Sequence, residues 1–263
     1  MKVMFIVYHD LKTEARSQEI LECAKKLGNE TVLVSYSKPF NNDENCKYIL
    51  TGKGKKKYSS FITGAIQAIK KENPDVVILH DNYTAIILRW IKKHRKNIYV
   101  IYDSSELYID RKHKSLKTKI GSYMERLEKK YLKYADIVIA ANIERAKIMK
   151  DYFELQELPI VFDNVHKIDD MYNSLECDEK YHHLFEGNTF NIVYGGGIAK
   201  QRLTFELAHM VGSLGNKYRL IIIGNSTDTD KSEFYSMLKE KGYSNIFYLG
   251  FISRSDLRYM FNK

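Results

Sequence analysis

The chain has 263 residues, 44% hydrophobic and 29% charged, a length that suits one large domain or two at about 150 residues each. Only 3 prolines and 14 glycines exclude a collagenous, low-complexity or disordered chain. Net charge is +9, and nearly all of it lies between Lys92 and Lys133, where 13 Lys/Arg face 5 Asp/Glu.

Such a basic window attracts phosphates, anionic lipid headgroups or a charged substrate, although a solvated helix face explains it as well. The three cysteines, Cys23, Cys46 and Cys177, form no Cys-x-x-Cys pair. That argues against a disulfide framework or structural zinc and for a reducing compartment. The first apolar run is six residues, too short for a signal peptide, and no stretch reaches the roughly 18–20 residues of a membrane span.

Taken in order, residues 2–8, 31–36, 75–80, 98–102 and 136–141 read as strands. Residues 14–27, 58–71, 83–94 and 116–134 read as the helices between them. This alternation predicts right-handed βαβ units and a parallel sheet covered on both faces. Val76–Val77–Ile78–Leu79 and Ile137–Val138–Ile139–Ala140 are apolar without alternation, as doubly buried strands should be. Residues 163–187 are polar and show no strand period, so they read as a linker.

Alternation then restarts. Strands are expected at 191–194, 219–223 and 245–249, and helices at 202–214 and 231–241. A last helix opens at Ser253 with Asp256 three residues on. The second unit holds three strands, about half an ordinary doubly wound domain, and reads as cut off. The expected organisation is therefore an N-terminal domain at 1–165, a linker at 166–188 and a partial domain at 189–263.

The first βα turn, Tyr8-His9-Asp10-Leu11-Lys12, lacks the glycines of a dinucleotide site. Gly52-Lys53-Gly54-Lys55 lacks the spacing of a P-loop and reads as a basic surface loop. Asp228-Thr229-Asp230 has a form that can hold a divalent cation, but Asp230 and Glu233 also suit a helix cap, which is the preferred reading. No metal site is expected.

Tyr194-Gly195-Gly196-Gly197 joins a strand to a helix, where backbone N–H groups can close on an anion. Arg202, expected in the first helical turn, can add a charge-assisted hydrogen bond, and Gly224-Asn225 points a second loop at the same edge. In the first half, His80-Asp81-Asn82, Asp103-Ser104-Ser105-Glu106 and Asn142 follow three strands. Carboxyl edges of parallel sheets bind ligands, yet Asp103, Ser104 and Asn142 are also good helix caps. In the helix at 116–134, Leu116, Ile120, Tyr123, Leu127, Tyr131 and Tyr134 form an apolar stripe. Lys117, Lys119, Arg126, Lys129, Lys130 and Lys133 lie opposite, next to Arg111-Lys112-His113-Lys114.

Residues 100–108 (VIYDSSELY), 134–142 (YADIVIAAN) and the ordered segments between 191 and 251 (NIVYGGGIAKQR, YRLIIIGN, NIFYLGF) resemble the family 4 glycosyltransferases. The resemblance implies an α/β fold of GT-B type, with two Rossmann-like doubly wound domains, the second incomplete. It implies a retaining enzyme that uses a nucleotide-diphosphate sugar as substrate and needs no metal or other cofactor. Gly196, Gly197, Arg202, Gly224, Asn225, Gly250 and Phe251 match donor-side positions. Asp103, Ser105 and Glu106 match an acceptor-side loop, with His80, Asp81 and Asn142 on the same edge. Ser105 stands where many relatives have histidine. Catalytic residues are not assigned.

The resemblance also implies a glycan or lipid-linked acceptor, a cytoplasmic protein, and contact with the inner membrane face through Lys117, Arg126, Lys129, Lys130 and Lys133. The family's paired donor-binding glutamates lie beyond residue 263, so weak turnover is expected of this chain alone. Two alternatives follow: an acceptor- or membrane-binding remnant without catalysis, or half of a split enzyme completed by a second chain. Nucleic acid is not an expected partner, because no recognition motif accompanies the basic window.

Overall fold

A computed structural model describes residues 1–9, 11, 14–37, 45–52, 57–107, 119–163 and 179–262. They form two compact units, Met1–Val165 and His166–Lys263.

The first unit runs β1 (Lys2–Val7), α1 (Ala15–Leu27), β2 (Glu30–Ser35), β3 (Cys46–Leu50), α2 (Lys57–Glu72), β4 (Val76–His80), α3 (Ala85–His94), β5 (Tyr99–Ser104), α4 (Lys119–Tyr131), β6 (Ile137–Ala140), α5 (Ile143–Tyr152) and β7 (Ile160–Val161). All seven strands are parallel, in the order β3-β2-β1-β4-β5-β6-β7. Every residue of β4 is buried, as its unbroken apolar run requires. One face packs Met4, Ile6, Val77 and Leu79 against Phe61, Ile69, Ile87 and Ile91 of α2 and α3. The other packs Val3, Phe5 and Val7 against Ile20, Leu21 and Ala24 of α1. Each such fully buried side chain stabilises the fold by about 1.5–3 kcal/mol.

The second unit runs β8 (Phe190–Gly195), α6 (Thr204–Ser213), β9 (Tyr218–Ile223), α7 (Asp228–Lys241), β10 (Ile246–Gly250) and α8 (Arg254–Asn262). Its strands are parallel in the order β10-β9-β8. Ala208, Val211, Phe234 and Leu238 cover one face of this sheet. Leu184, Ile252 and Met260 cover the other around Ile221 and Ile223.

Several elements depart from the sequence reading. Strands β3 and β7 and helix α5 were not expected; β3 is a five-residue edge strand, mostly half-buried, and β7 is two residues long, so neither carries the long apolar run of a buried strand. Residues 164–178 of the expected linker lie outside the described residues, but Glu179–Phe185 is a 3-10 helix whose Leu184 is buried in the second core. Arg219 Nη1 donates to the Leu184 carbonyl and ties that turn to β9.

Arg202 is not in the first turn of a helix. It ends a 3-10 turn at Lys200–Arg202, and Leu203, at φ 56°, redirects the chain before α6 begins. The start of α7 is capped three residues earlier than expected: the Thr227 hydroxyl accepts from Asp230 N at 3.1 Å and donates to its carboxylate at 2.7 Å. The Ser253–Asp256 pair caps α8 as its spacing indicates.

Candidate functional site

Strand order reverses at β1, with β2 on one side and β4 on the other. In an open parallel sheet the carboxyl ends of such a pair leave a crevice. The loop after β1 brings His9 to this crevice, β4 ends in His80 and Asp81, and β5 ends in Asp103 and Ser104. Register places Val7, His80 and Asp103 side by side across the three strands. The start of α1 adds Glu14, whose side chain caps the helix at Ser17 N, 2.7 Å, and Arg16.

Here the polar groups interlock. Arg16 Nε lies 3.1 Å from both Asp103 carboxylate oxygens, its Nη2 lies 2.5 Å from Oδ1, and Nη1 donates to the Phe162 carbonyl at 2.6 Å. Asp103 also accepts from His80 Nδ1 at 2.7 Å. Asp103 is therefore not the helix cap its residue type suggested. The Asp81 carboxylate takes the Ser105 backbone N–H at 2.8 Å, the Ser105 hydroxyl at 2.7 Å and His9 Nε2 at 3.0 Å.

Asp81 sits at φ 58°, a left-handed conformation that costs a non-glycine residue about 1–3 kcal/mol. It is held there because its N–H donates to the Asp103 carbonyl at 2.9 Å and its carbonyl accepts from Thr84 N and Oγ1. Backbone strain fixed by so many bonds aims one carboxylate at one place.

Burial works to raise the Asp81 carboxyl, but the His80 charge and the bonds from His9 and Ser105 outweigh it and hold its pKa at about 2. For His80, burial opposes the charged ring, yet Asp81, the Asp103 bond and Glu14 together raise its pKa. His80 Nε2 is fully buried without a hydrogen bond; Glu14 Oε2 and Asp81 Oδ2, at 3.6 and 3.7 Å, are too far. A buried polar atom left so costs about 1–3 kcal/mol.

Of the expected acceptor-side residues, His80, Asp81, Asp103 and Ser105 converge. Glu106 is exposed and pairs with Arg145 Nη2 at 3.6 Å, while Arg145 Nη1 donates to the Ser105 carbonyl. Asn142 caps α5, its side chain accepting from Arg145 N at 2.8 Å. Sequence reading missed Arg16, His9, Glu14 and Arg145. The first βα turn was weighed for its lack of glycine, although His9 lay in it. Arg16 sat in an otherwise ordinary amphipathic helix and carried no signal.

In the second unit the donor-side glycines meet backbone to backbone. A Cβ on Gly197 would lie 1.6 Å from the Asn225 carbonyl oxygen, and one on Gly224, at φ 150°, 2.6 Å from Gly197 N. Gly224 N donates to the Gly250 carbonyl at 2.8 Å. The Ile198 N–H donates to Ser226 Oγ at 2.5 Å. Asn225, Arg202 and Phe251 are exposed around this edge. Asp228 and Asp230 lie in the first turn of α7, Asp228 facing Lys231 at 3.4 Å and Asp230 bonded to Thr227, which caps the helix in place of the expected Asp230.

Helix α4 presents Arg126, Lys129, Lys130 and, just beyond it, Lys133 to solvent; Lys117 and residues 111–114 lie outside the described residues. The expected apolar stripe is only half right. Leu127 is buried, but Tyr123 and Tyr134 are exposed, and Met124, Glu128 and Leu132 take the inner positions. Glu128 is 2% exposed and accepts the Tyr102 hydroxyl at 2.8 Å. Burial pushes its carboxyl up to about 8 against the pull of that bond. Ser122, Glu125, Arg126, Lys129 and Tyr152 line a cavity of about 230 Å³ between α4 and α5, with Lys129 Nζ 4.0 Å from the Tyr152 ring centre. Among the described residues no helix is long and apolar enough to cross a membrane.

Residues 14–161 match the family model described as Glycosyltransferase Family 4. No curated protein matches the chain in sequence. Among solved structures it is similar to sucrose-phosphate synthase from Thermosynechococcus elongatus, with TM-score 0.75 and 11% identity over 99% of this chain and 73% of that one. It is similar to HepE of Anabaena in complex with UDP and glucose, with TM-score 0.68 and 12% identity over 99% and 71%. It also resembles the UDP-GlcNAc 2-epimerase of Neisseria meningitidis bound to UDP-GlcNAc, with TM-score 0.63 and 11% identity over 100% and 76%. At such identities the likeness speaks for the fold alone, two parallel α/β sheets of GT-B type.

Proposed function

Because the chain belongs to glycosyltransferase family 4, we propose that it transfers a sugar from a nucleoside diphosphate sugar to a cell-surface polysaccharide or lipid-linked acceptor. The observation that carries this reading is the glycine edge formed by Gly196, Gly197, Gly224 and Gly250 at the carboxyl ends of β8, β9 and β10. The glycines let these loops close on one another at the carboxyl edge, where a diphosphate can lie against Gly197 and the turn that leads toward α6. Arg202 and Asn225, exposed beside it, supply further donors. As the sugar's anomeric carbon leaves the diphosphate oxygen and bonds the acceptor oxygen, negative charge grows on the diphosphate, and fixed donors favour that change.

In the first unit the acceptor would meet Ser105 at the carboxyl edge, held in place by the buried His80, Asp81 and Asp103 behind it. UDP in the HepE complex and UDP-GlcNAc in the epimerase make uridine donors the first to try. The cationic face of α4, with Tyr123 and Tyr134 exposed near it, suits anionic headgroups where a lipid-linked acceptor resides.

Nucleoside diphosphate release from UDP-, GDP- and ADP-sugars, with membrane lipid extract as acceptor, tests the proposal. One donor should give release that falls at least tenfold in Gly197→Ala. Absence of nucleotide binding in calorimetry with all three would overturn it.

A further inference from the structure

We propose that His9, His80 and Asp81 form a binding site for a divalent transition-metal ion of the zinc class at the β1/β4 crevice. His9 Nε2 and Asp81 Oδ2 are 3.0 Å apart, His80 Nε2 and Asp81 Oδ2 are 3.7 Å apart, and the three atoms all lie within 4.8 Å of one another. Ligands on a tetrahedral ion with bonds of about 2.0–2.1 Å are separated by about 3.3 Å, so two of these edges bracket the required value.

The tautomer is already set. Asp103, gripped by Arg16, accepts from His80 and keeps a proton on Nδ1, so Nε2, facing Asp81, is the ring atom that gives up its proton to a bound ion. A ligating histidine held from behind by a carboxylate is the arrangement that orients a metal ligand and raises its basicity. This accounts for the one histidine ring nitrogen among the described residues that is buried and has no hydrogen-bond partner.

Charge points the same way. Asp103 is paired with Arg16, while Glu14 and Asp81 both face His80 Nε2, at 3.6 and 3.7 Å, two carboxylates whose charge a divalent ion matches. Imidazole ligands favour zinc-class ions over calcium or magnesium. Glu14 Oε2, 3.6 Å from His80 Nε2, or a water fills the fourth position. His9, with a quarter of its side chain exposed, leaves a path for entry. The inference is independent of sugar transfer: a chain that binds no donor still holds the ion.

The test uses the full chain after dialysis against a chelator, titrated with Co²⁺ and then Zn²⁺. One equivalent should bind, with the visible absorption of tetrahedral cobalt bleached by zinc. His9→Ala should weaken binding at least tenfold while its circular dichroism is unchanged. Histidine NMR on the wild-type chain, independent of any variant, should show the His9 and His80 rings shifting at one equivalent of Zn²⁺. Failure to bind one equivalent, equal affinity in His9→Ala, or unmoved His9 and His80 signals would overturn the proposal.

Discussion

Arg16 of α1 and Asp103 of β5 form a buried ion pair across 87 residues of sequence, with Nε 3.1 Å from both carboxylate oxygens. Neither side chain reaches water to any extent, at 1% and 0% exposure. The pair pins the start of α1 to the sheet edge and sets the orientation of His80 from behind.

Replacing Arg16 by methionine leaves a buried carboxylate with only His80 to face it. Such a break costs about 3–5 kcal/mol. Urea denaturation should show the midpoint fall accordingly. The exposed Lys25–Glu22 pair gives the contrast: Lys25→Met should cost less than about 1 kcal/mol. Equal losses in the two variants would refute the role assigned to Arg16.

Glu128 ties stability to pH. Its folded pKa, about 8, lies above the ordinary 4.5, so the folded state holds a proton that the unfolded state releases between those values. Its contribution is therefore fully present below 4.5 and declines as pH rises toward 8. Glu128→Gln removes the titration. Relative to wild type the variant should gain on the order of 4 kcal/mol between pH 5 and pH 8.5, measured by denaturant midpoint at each pH. A pH-independent difference would show that the carboxyl is not protonated in the fold.

The glycine edge separates contact from conformation. Gly197→Ala drives a Cβ into the Asn225 carbonyl and should cost about 2–3 kcal/mol, with at least tenfold weaker nucleotide binding. Gly215 has φ 81° with nothing within 4 Å of its absent Cβ. Gly215→Ala should cost about 1 kcal/mol through backbone conformation and leave nucleotide affinity as it is. Thermal melts with and without UDP read both effects.

Neutralising Lys129, Lys130 and Lys133 together tests the lipid surface. At about 1 kcal/mol for each lysine near an anionic membrane, the triple glutamine variant should bind phosphatidylserine vesicles roughly 100-fold more weakly. Co-sedimentation at two salt concentrations makes the measurement, and wild-type binding should itself fall at the higher salt. Unchanged sedimentation in the variant would remove α4 from the membrane reading.

Much of this molecule was legible in one dimension. Runs such as Val76–Val77–Ile78–Leu79 admit a doubly buried parallel strand and little else, because no polar alternation leaves a face for water. The glycines at 196, 197, 224 and 250 could be placed at strand ends for the same reason, since strand, turn and helix each carry a local period. Ser253 announced its helix start and Asn142 had the residue type of a cap although no helix was read after it, because a cap is a contact within three residues.

What only the tertiary structure decided was every contact between distant parts of the chain. Asp103 looked like a cap until register set it beside His80 and α1 brought Arg16 across to it. His9 lay in a loop with no motif, and its meeting with Asp81 depends on β1 and β4 being neighbours at the point where strand order reverses. The α4 stripe was misjudged at Tyr123 and Glu128 because periodicity gives a face, while packing against the sheet chooses which edge of that face is buried. Local sequence encodes the elements through backbone and solvent preferences; which charges come to share one buried space follows from how the strands are ordered.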